Sequence, residues 1–259
     1  MSLSGRKALV TGASRGIGAD IARALGAAGA AVAVTARSEE VTDPRLPGTI
    51  HTVAQEIRDG GGEAVGVRID VRDPESIAAG VKQAAETLGG LDIIVNNAAV
   101  LVPGTLETVQ SRHLDLLWQI AGRGPILVAK EALPHLKDAE KADIINVSSR
   151  AGVFPGPGPY ENPRSGGGFY AMIKAGLERY TQALAMELQA DNIAVNVLSP
   201  QGLIYTPGAK FAQNDPENPD LEFQPAEYMA KGSVWLCEQP PTFTGHILFD
   251  EDLCREQGL

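Results

Sequence analysis

Short apolar runs alternate along the 259 residues with longer stretches of helical pattern. The runs predict strands over 6–11, 31–36, 64–69, 91–96, 142–148, 192–198 and 245–249. The stretches between them predict helices over 16–28, 50–60, 74–88, 107–137, 168–190 and 225–238. Gly29, the run Gly60-Gly61-Gly62 and Gly89-Gly90 stand where helices should end. Strict alternation of the two kinds of element predicts an α/β fold, a single-domain doubly wound parallel sheet of about seven strands with helices on both faces. No linker or repeat divides it, so 1–259 reads as one domain, with ligands at the carboxyl ends of the strands.

The first strand runs into Gly12-Ala-Ser-Arg-Gly16-Ile-Gly18 and then an alanine-rich helix. Strand, glycine turn and helix are the context a dinucleotide-binding loop requires. Gly12 permits the tight turn, Gly16 lets backbone N–H groups approach a pyrophosphate, and Gly18 allows close packing of helix on strand. The helix N-terminus then turns its partial positive charge to the phosphates.

Gly168-Phe-Tyr-Ala-Met-Ile-Lys174 places a phenol and an ammonium four residues apart along one helix face. A neighbouring cation favours phenolate, and bringing a tyrosine from about 10 to about 7 takes roughly 4 kcal/mol of differential stabilisation. One lysine supplies part of that and a cationic cofactor the rest. By itself such a spacing equally decorates a helix surface, so its meaning depends on a cofactor site around it.

Composition narrows the partners. A formal net charge of −10 argues against nucleic acid or an anionic membrane. Cys237 and Cys254 are too few for a disulfide framework, which points to a reducing, cytoplasmic compartment. No apolar run reaches the ~18 residues of a membrane span and no signal-peptide pattern opens the sequence. His51, His113, His135 and His246 lack the spacing of metal ligands, and no metal is expected.

Together the motifs resemble the short-chain dehydrogenase/reductase family over nearly the whole chain. Thr11-Gly-Ala-Ser-Arg-Gly-Ile-Gly18 is similar to its cofactor loop, Asn96-Asn97-Ala98-Ala99 to its Asn-Asn-Ala-Gly element, and Ser148-Ser149 with Tyr170-x-x-x-Lys174 to its catalytic set. Pro200 and Gly202-Leu-Ile-Tyr-Thr206 resemble its Pro-Gly-x-Ile-x-Thr segment with one extra residue. The Pro44-Arg-Leu-Pro-Gly-Thr-Ile50 insert and the ending Phe243–Glu251 resemble the hydroxysteroid-dehydrogenase-like branch.

The resemblance implies hydride transfer between a nicotinamide cofactor and a ketone or secondary alcohol. Ser149 would hydrogen-bond the carbonyl oxygen, Tyr170 would protonate it, and Lys174 would lower the tyrosine pKa and bind the nicotinamide ribose. Cofactor contacts are expected from Gly12, Ser14, Arg15, Gly16, Ile17, Gly18, Arg37, Asp70, Val71, Asn97, Tyr170, Lys174, Ile204 and Thr206. Asp70 would meet the adenine amino group, and Asn97 either holds the loop beside the adenosine ribose or satisfies turn backbone. Ile204 and Thr206 would hold the carboxamide. Arg37 stands where many NAD-binding proteins place an acidic residue, and with Arg15 it could clamp a 2′-phosphate; NADP(H) is favoured and NAD(H) remains open. A homotetramer or homodimer is also implied.

Two departures complicate this expectation. In Trp118-Gln-Ile-Ala121-Gly-Arg-Gly-Pro125, Ala121 occupies the position of the family's asparagine, which supports a water-linked proton path from the lysine. The alternative is therefore a catalytically weak nucleotide-binding protein with a regulatory or scaffolding role. Between Gly152 and Gly168 lie Pro155, Pro157, Pro159 and Pro163 and the run Gly166-Gly167-Gly168, a lid or a plain surface insertion; its Tyr160 has no lysine four residues on. A second substrate-facing loop is expected over 200–223, where Pro207 to Phe223 suits a mobile flap.

Overall fold

The computed structural model describes residues 1–102, 104–153, 156–159, 167–213 and 223–259. The chain runs β1 (Lys7–Thr11), α1 (Gly16–Ala27), β2 (Ala31–Ala36), α2 (Ile50–Asp59), β3 (Glu63–Arg68), α3 (Pro74–Leu88) and β4 (Ile93–Asn96). It continues through α4 (Ser111–Leu117), a π turn (Trp118–Arg123), α5 (Gly124–Asp138), β5 (Ala142–Val147), a 3₁₀ turn (Arg150–Gly152), α6 (Gly168–Leu188) and β6 (Ile193–Ser199). Last come β7 (Leu203–Ile204), α7 (Pro207–Gln213), β8 (Phe223–Gln224), α8 (Glu227–Glu238), β9 (Ile247–Phe249) and α9 (Asp250–Gln257).

Among the described residues the main sheet has the order β3-β2-β1-β4-β5-β6-β9, and every pair in it is parallel. The expected doubly wound sheet is therefore present, with each strand within two residues of its predicted start. Parallel strands covered on both faces read as near-continuous apolar runs, which is what made them legible. Two apolar clusters, one on each face, hold the helices to the sheet; Leu9, Ile94 and Ile144 belong to one, Val10, Val95 and Ile145 to the other. Order reverses between β1 and β4, and a crevice opens there beyond their carboxyl ends.

Three elements depart from expectation. The helix expected over 107–137 is two α segments around a π turn, in which the Gly124 N–H reaches Gln119 O. Pro125 has no N–H to give Ala121 O, so the α ladder cannot continue through it. The flap expected over 200–223 contains α7 and a two-stranded β7–β8 sheet, with Pro207 at a helix start. Helix α9 escaped prediction because Asp250-Glu-Asp-Leu-Cys-Arg-Glu-Gln257 carries almost no apolar stripe. Residues 154–155, 160–166 and 214–222, with Tyr160 and Leu221, lie outside the described residues.

Candidate active site

One cavity of about 760 Å³ occupies the crevice. It runs from Arg37 and Asp70 at the ends of β2 and β3, across the glycine loop, to Ser149, Tyr170 and Lys174. Every residue expected to touch cofactor or to act in catalysis lines it: Gly12, Ser14, Arg15, Gly16, Ile17, Gly18, Arg37, Asp70, Val71, Asn97, Ser149, Tyr170, Lys174, Ile204 and Thr206.

The glycine loop follows from local geometry. Gly12 and Gly16 have φ of 65° and 57°, in the left-handed region. A Cβ on Gly18 would lie 2.3 Å from Asn97 Nδ2. That amide donates to Thr11 O at 3.0 Å and Gly12 O at 3.2 Å, so Asn97 fastens the loop from behind. Of its two expected roles, the observed contacts are those of a turn clasp. Thr11 Oγ1 completes the fastening by accepting from the Asn97 and Ala98 amides.

At the adenosine end the guanidinium of Arg15 donates to Pro47 O and Gly48 O, both at 3.0 Å. The insert thus lies against the glycine loop, so tightly that a Cβ on Gly48 would stand 2.4 Å from Ser14 O. Burial and then the nearby Arg37 charge hold the Arg15 value down. Arg37 is exposed and forms no ion pair among the described residues, while Glu39, the next carboxylate, faces Arg68 at 3.5 Å. Two arginines that repel each other at the mouth of a cleft favour an anion between them.

Asp70, expected beside the adenine amino group, has a protein partner as well as a place in the cavity lining. Its carboxylate accepts from Arg72 Nε and Nη2 and from the Arg72 backbone N–H, and this partner holds it below the usual carboxylate range. Arg72 also lines the cavity, a residue the sequence reading missed, although its place two residues from Asp70 could have signalled the pair. Thr206 Oγ1 accepts from the Ala209 N–H at 3.1 Å and so caps the start of α7, and its side chain stands 3.1 Å from where a Cβ on Gly16 would be.

At the inner end, Tyr170 and Lys174 project from the first turns of α6, and Ser149 leads from β5 into the 3₁₀ turn. The Ser149 hydroxyl neighbours the Tyr170 phenol and acts to lower its value. Ser149 Oγ also accepts from the Ala151 N–H at 3.2 Å, which fixes the serine at the head of its turn. Lys174 is 2% exposed and donates to Val147 O at 2.7 Å. Burial draws its ammonium down to about 8, and the Glu178 carboxylate works the other way.

Burial pushes the Tyr170 phenol above its ordinary value and the Ser149 hydroxyl opposes this, while the Lys174 Nζ stands 5.8 Å from the ring centroid. On its other side Lys174 has Glu178, one turn further along α6, whose Oε1 accepts from Ser148 Oγ at 2.6 Å. Ala121 is 1% exposed and packs with Leu117 and Ile173, beside Val100, Val102, Phe169 and Tyr170. Apolar side chains thus pack beside the tyrosine.

Positive-φ glycines, a helix N-terminus and the arginines Arg15 and Arg37 along one cleft fit a dinucleotide, and the Ser–Tyr–Lys cluster at its inner end fits hydride chemistry. These features suit the class of dinucleotide-binding proteins built on a doubly wound sheet. The short chain dehydrogenase family profile matches residues 6–217, and the chain belongs to that family. Hydroxysteroid dehydrogenase-like protein 2 of Homo sapiens is 35% identical over 260 residues, and the Xenopus tropicalis protein is 36% identical over 258. These matches cover 99% of the chain but 59% of either relative, so the chain spans little more than half their length. They agree with the branch expected from the insert and the carboxyl-terminal segment. The crystal structure of a short chain dehydrogenase of Mycobacterium thermoresistibile superposes with a TM-score of 0.86 at 33% identity, covering 99% of this chain and 89% of that one. One from Burkholderia cenocepacia in complex with NADP has a TM-score of 0.80 at 30% identity, covering 96% and 97%.

Proposed function

We propose that the chain is an NADP(H)-dependent oxidoreductase that interconverts a ketone and a secondary alcohol, with Tyr170 as proton donor and acceptor. The observation that carries this reading is the convergence of Ser149, Tyr170 and buried Lys174 at the inner end of the same cleft that the glycine loop lines. When bound, the reduced nicotinamide supplies the hydride. Negative charge then develops on the carbonyl oxygen, and Ser149 donates a hydrogen bond to it while Tyr170 delivers the proton. Lys174, tied to Val147 O, keeps a positive charge beside the phenol and holds the ribose. Alcohol oxidation reverses these steps, with tyrosinate as base.

NADP(H) is favoured over NAD(H) by Arg15 and Arg37 at the adenosine end and by Glu39 being turned to Arg68. Val100, Leu101, Val102, Leu116, Ile120 and Leu203 line the rest of the cavity and suit an apolar carbonyl substrate. The loop region 200–223 is read as the substrate-facing part of the single domain, and the protein as a cytoplasmic homodimer or homotetramer. No helix among the described residues is long and apolar enough to cross a membrane.

Ala121 favours a second reading, a nucleotide-binding protein of weak chemistry with a regulatory or scaffolding role. Alanine has no polar group to hold the family's relay water, and Ala121 packs among the apolar side chains of Leu117 and Ile173. Spectrophotometric screening of purified protein with NADPH and a panel of apolar ketones separates the two. Carbonyl-dependent NADPH oxidation is the expected result; NADPH binding without oxidation above background would favour the second reading.

A further inference from the structure

We propose that Glu178 is a positioning residue of the catalytic set: it fastens the turn carrying Ser149 to the helix carrying Tyr170 and Lys174, and sets a buried negative charge one turn from the Lys174 ammonium. The inference deepens the acid–base reading above and rests on it.

Tyr170, Lys174 and Glu178 follow one another at intervals of four along α6 and so share a stripe. The end of β5 meets that stripe at two consecutive residues. Val147 O accepts from Lys174 Nζ at 2.7 Å, and Ser148 Oγ donates to Glu178 Oε1 at 2.6 Å. Ser149 comes immediately after these two rungs, so its distance from Tyr170 is set by them. The turn beyond it closes on the same carboxylate. A Cβ on Gly152 would lie 2.7 Å from Glu178 Oε1 and 3.3 Å from the Ala175 N, so a side chain there would have to displace the carboxylate. A buried carboxylate held this way is costly unless it is both hydrogen-bonded and opposed by a cation. Ser148 meets the first need and Lys174 the second.

The other charged groups on segments packed against α6 are engaged elsewhere or set apart. Asp143 pairs with Arg6 and Lys141, Asp191 with Lys137, and Arg123 donates to Arg72 O. Arg150 donates to Gln201 O at 3.4 Å, and Arg112, His113 and Asp115 belong to α4. Glu178 is the carboxylate one turn from Lys174 on the same helix stripe, and its charge favours the protonated ammonium.

Two variants of the intact protein test the two halves. Glu178→Gln keeps an acceptor for Ser148 and removes the charge. The basic limb of the turnover profile is expected to move to lower pH, with about tenfold less turnover than wild type near about pH 9 and the carbonyl KM unchanged. A profile parallel to wild type overturns the charge role, since a merely structural loss lowers all pH values alike. Ser148→Ala removes the fastening and leaves the charge; about tenfold lower turnover with the limb in place is expected, and wild-type turnover overturns the fastening. Lysine-labelled protein followed by NMR reads the Lys174 midpoint without substrate. Its fall in Glu178→Gln supports the charge role even if no carbonyl is reduced, in which case the acid–base reading alone fails; an unmoved midpoint overturns the charge role regardless of activity.

Discussion

An ammonium that is 2% exposed keeps its charge against a desolvation penalty, and for Lys174 that penalty has brought its value to about 8. At neutral pH the group is still protonated about ten to one. It lies in the range where a small change in surroundings alters its charge, which suits a residue that must support proton transfer. Tyr170 is moved upward by its burial, so the protein's own groups favour the neutral phenol, the form that donates. At the opposite end of the cleft, the proposed preference for NADP(H) rests on residue identity. Arg37 is expected to contribute a charge-assisted contact of about 1.5–3 kcal/mol to a 2′-phosphate. Arg37→Asp should therefore lower the ratio of kcat/KM for NADPH to that for NADH by about 10- to 150-fold, read from initial rates with both cofactors. An unchanged ratio would assign the contact to another group.

At the scale of elements, the π turn between α4 and α5 bears on turnover. Pro125 forces the wider turn, and the turn carries Ala121 against Leu117 and Ile173 beside Tyr170. Replacing Ala121 with Asn would place a carboxamide in that apolar cluster, at about 1–3 kcal/mol of stability if it finds no protein partner. We expect Ala121→Asn to melt earlier and to turn over faster, because the carboxamide can hold the relay water that alanine cannot. Unchanged turnover alongside a lower melting temperature would mean that proton return already has another route. The elements also differ in how readable they were. Strands β1 to β6 announced themselves as apolar runs, and the glycine loop by its spacing after β1. The π turn was hidden because its residues keep a helical pattern and only the absent N–H of Pro125 breaks the ladder. Helix α7 was hidden because its polar, proline-flanked sequence reads as loop.

At the scale of the molecule, the doubly wound sheet brings six loop regions, remote in sequence, to one crevice. The ends of β1 through β6 supply the glycine loop, Arg37, Asp70, Asn97, Ser149 and Pro200 in turn. Their place in the cavity lining was legible in the sequence because each of those residues lies within two positions of a strand's end. Pairing within the site was not. That Arg72 neutralises Asp70, that Arg15 grips the insert, and that Glu178 rather than bulk water faces Lys174 depend on how loops and helix faces meet in space.

The central claim is that Tyr170 is the proton donor of a hydride-transfer enzyme. Its most direct test is the turnover of Tyr170→Phe with NADPH and the carbonyl compound that the wild-type protein reduces best, alongside the NADPH dissociation constant of both proteins. The change removes one hydroxyl and leaves the ring in its cluster with Ile173. A loss of roughly 10²- to 10⁴-fold in turnover with NADPH affinity held within about twofold is predicted. Turnover equal to wild type would contradict it.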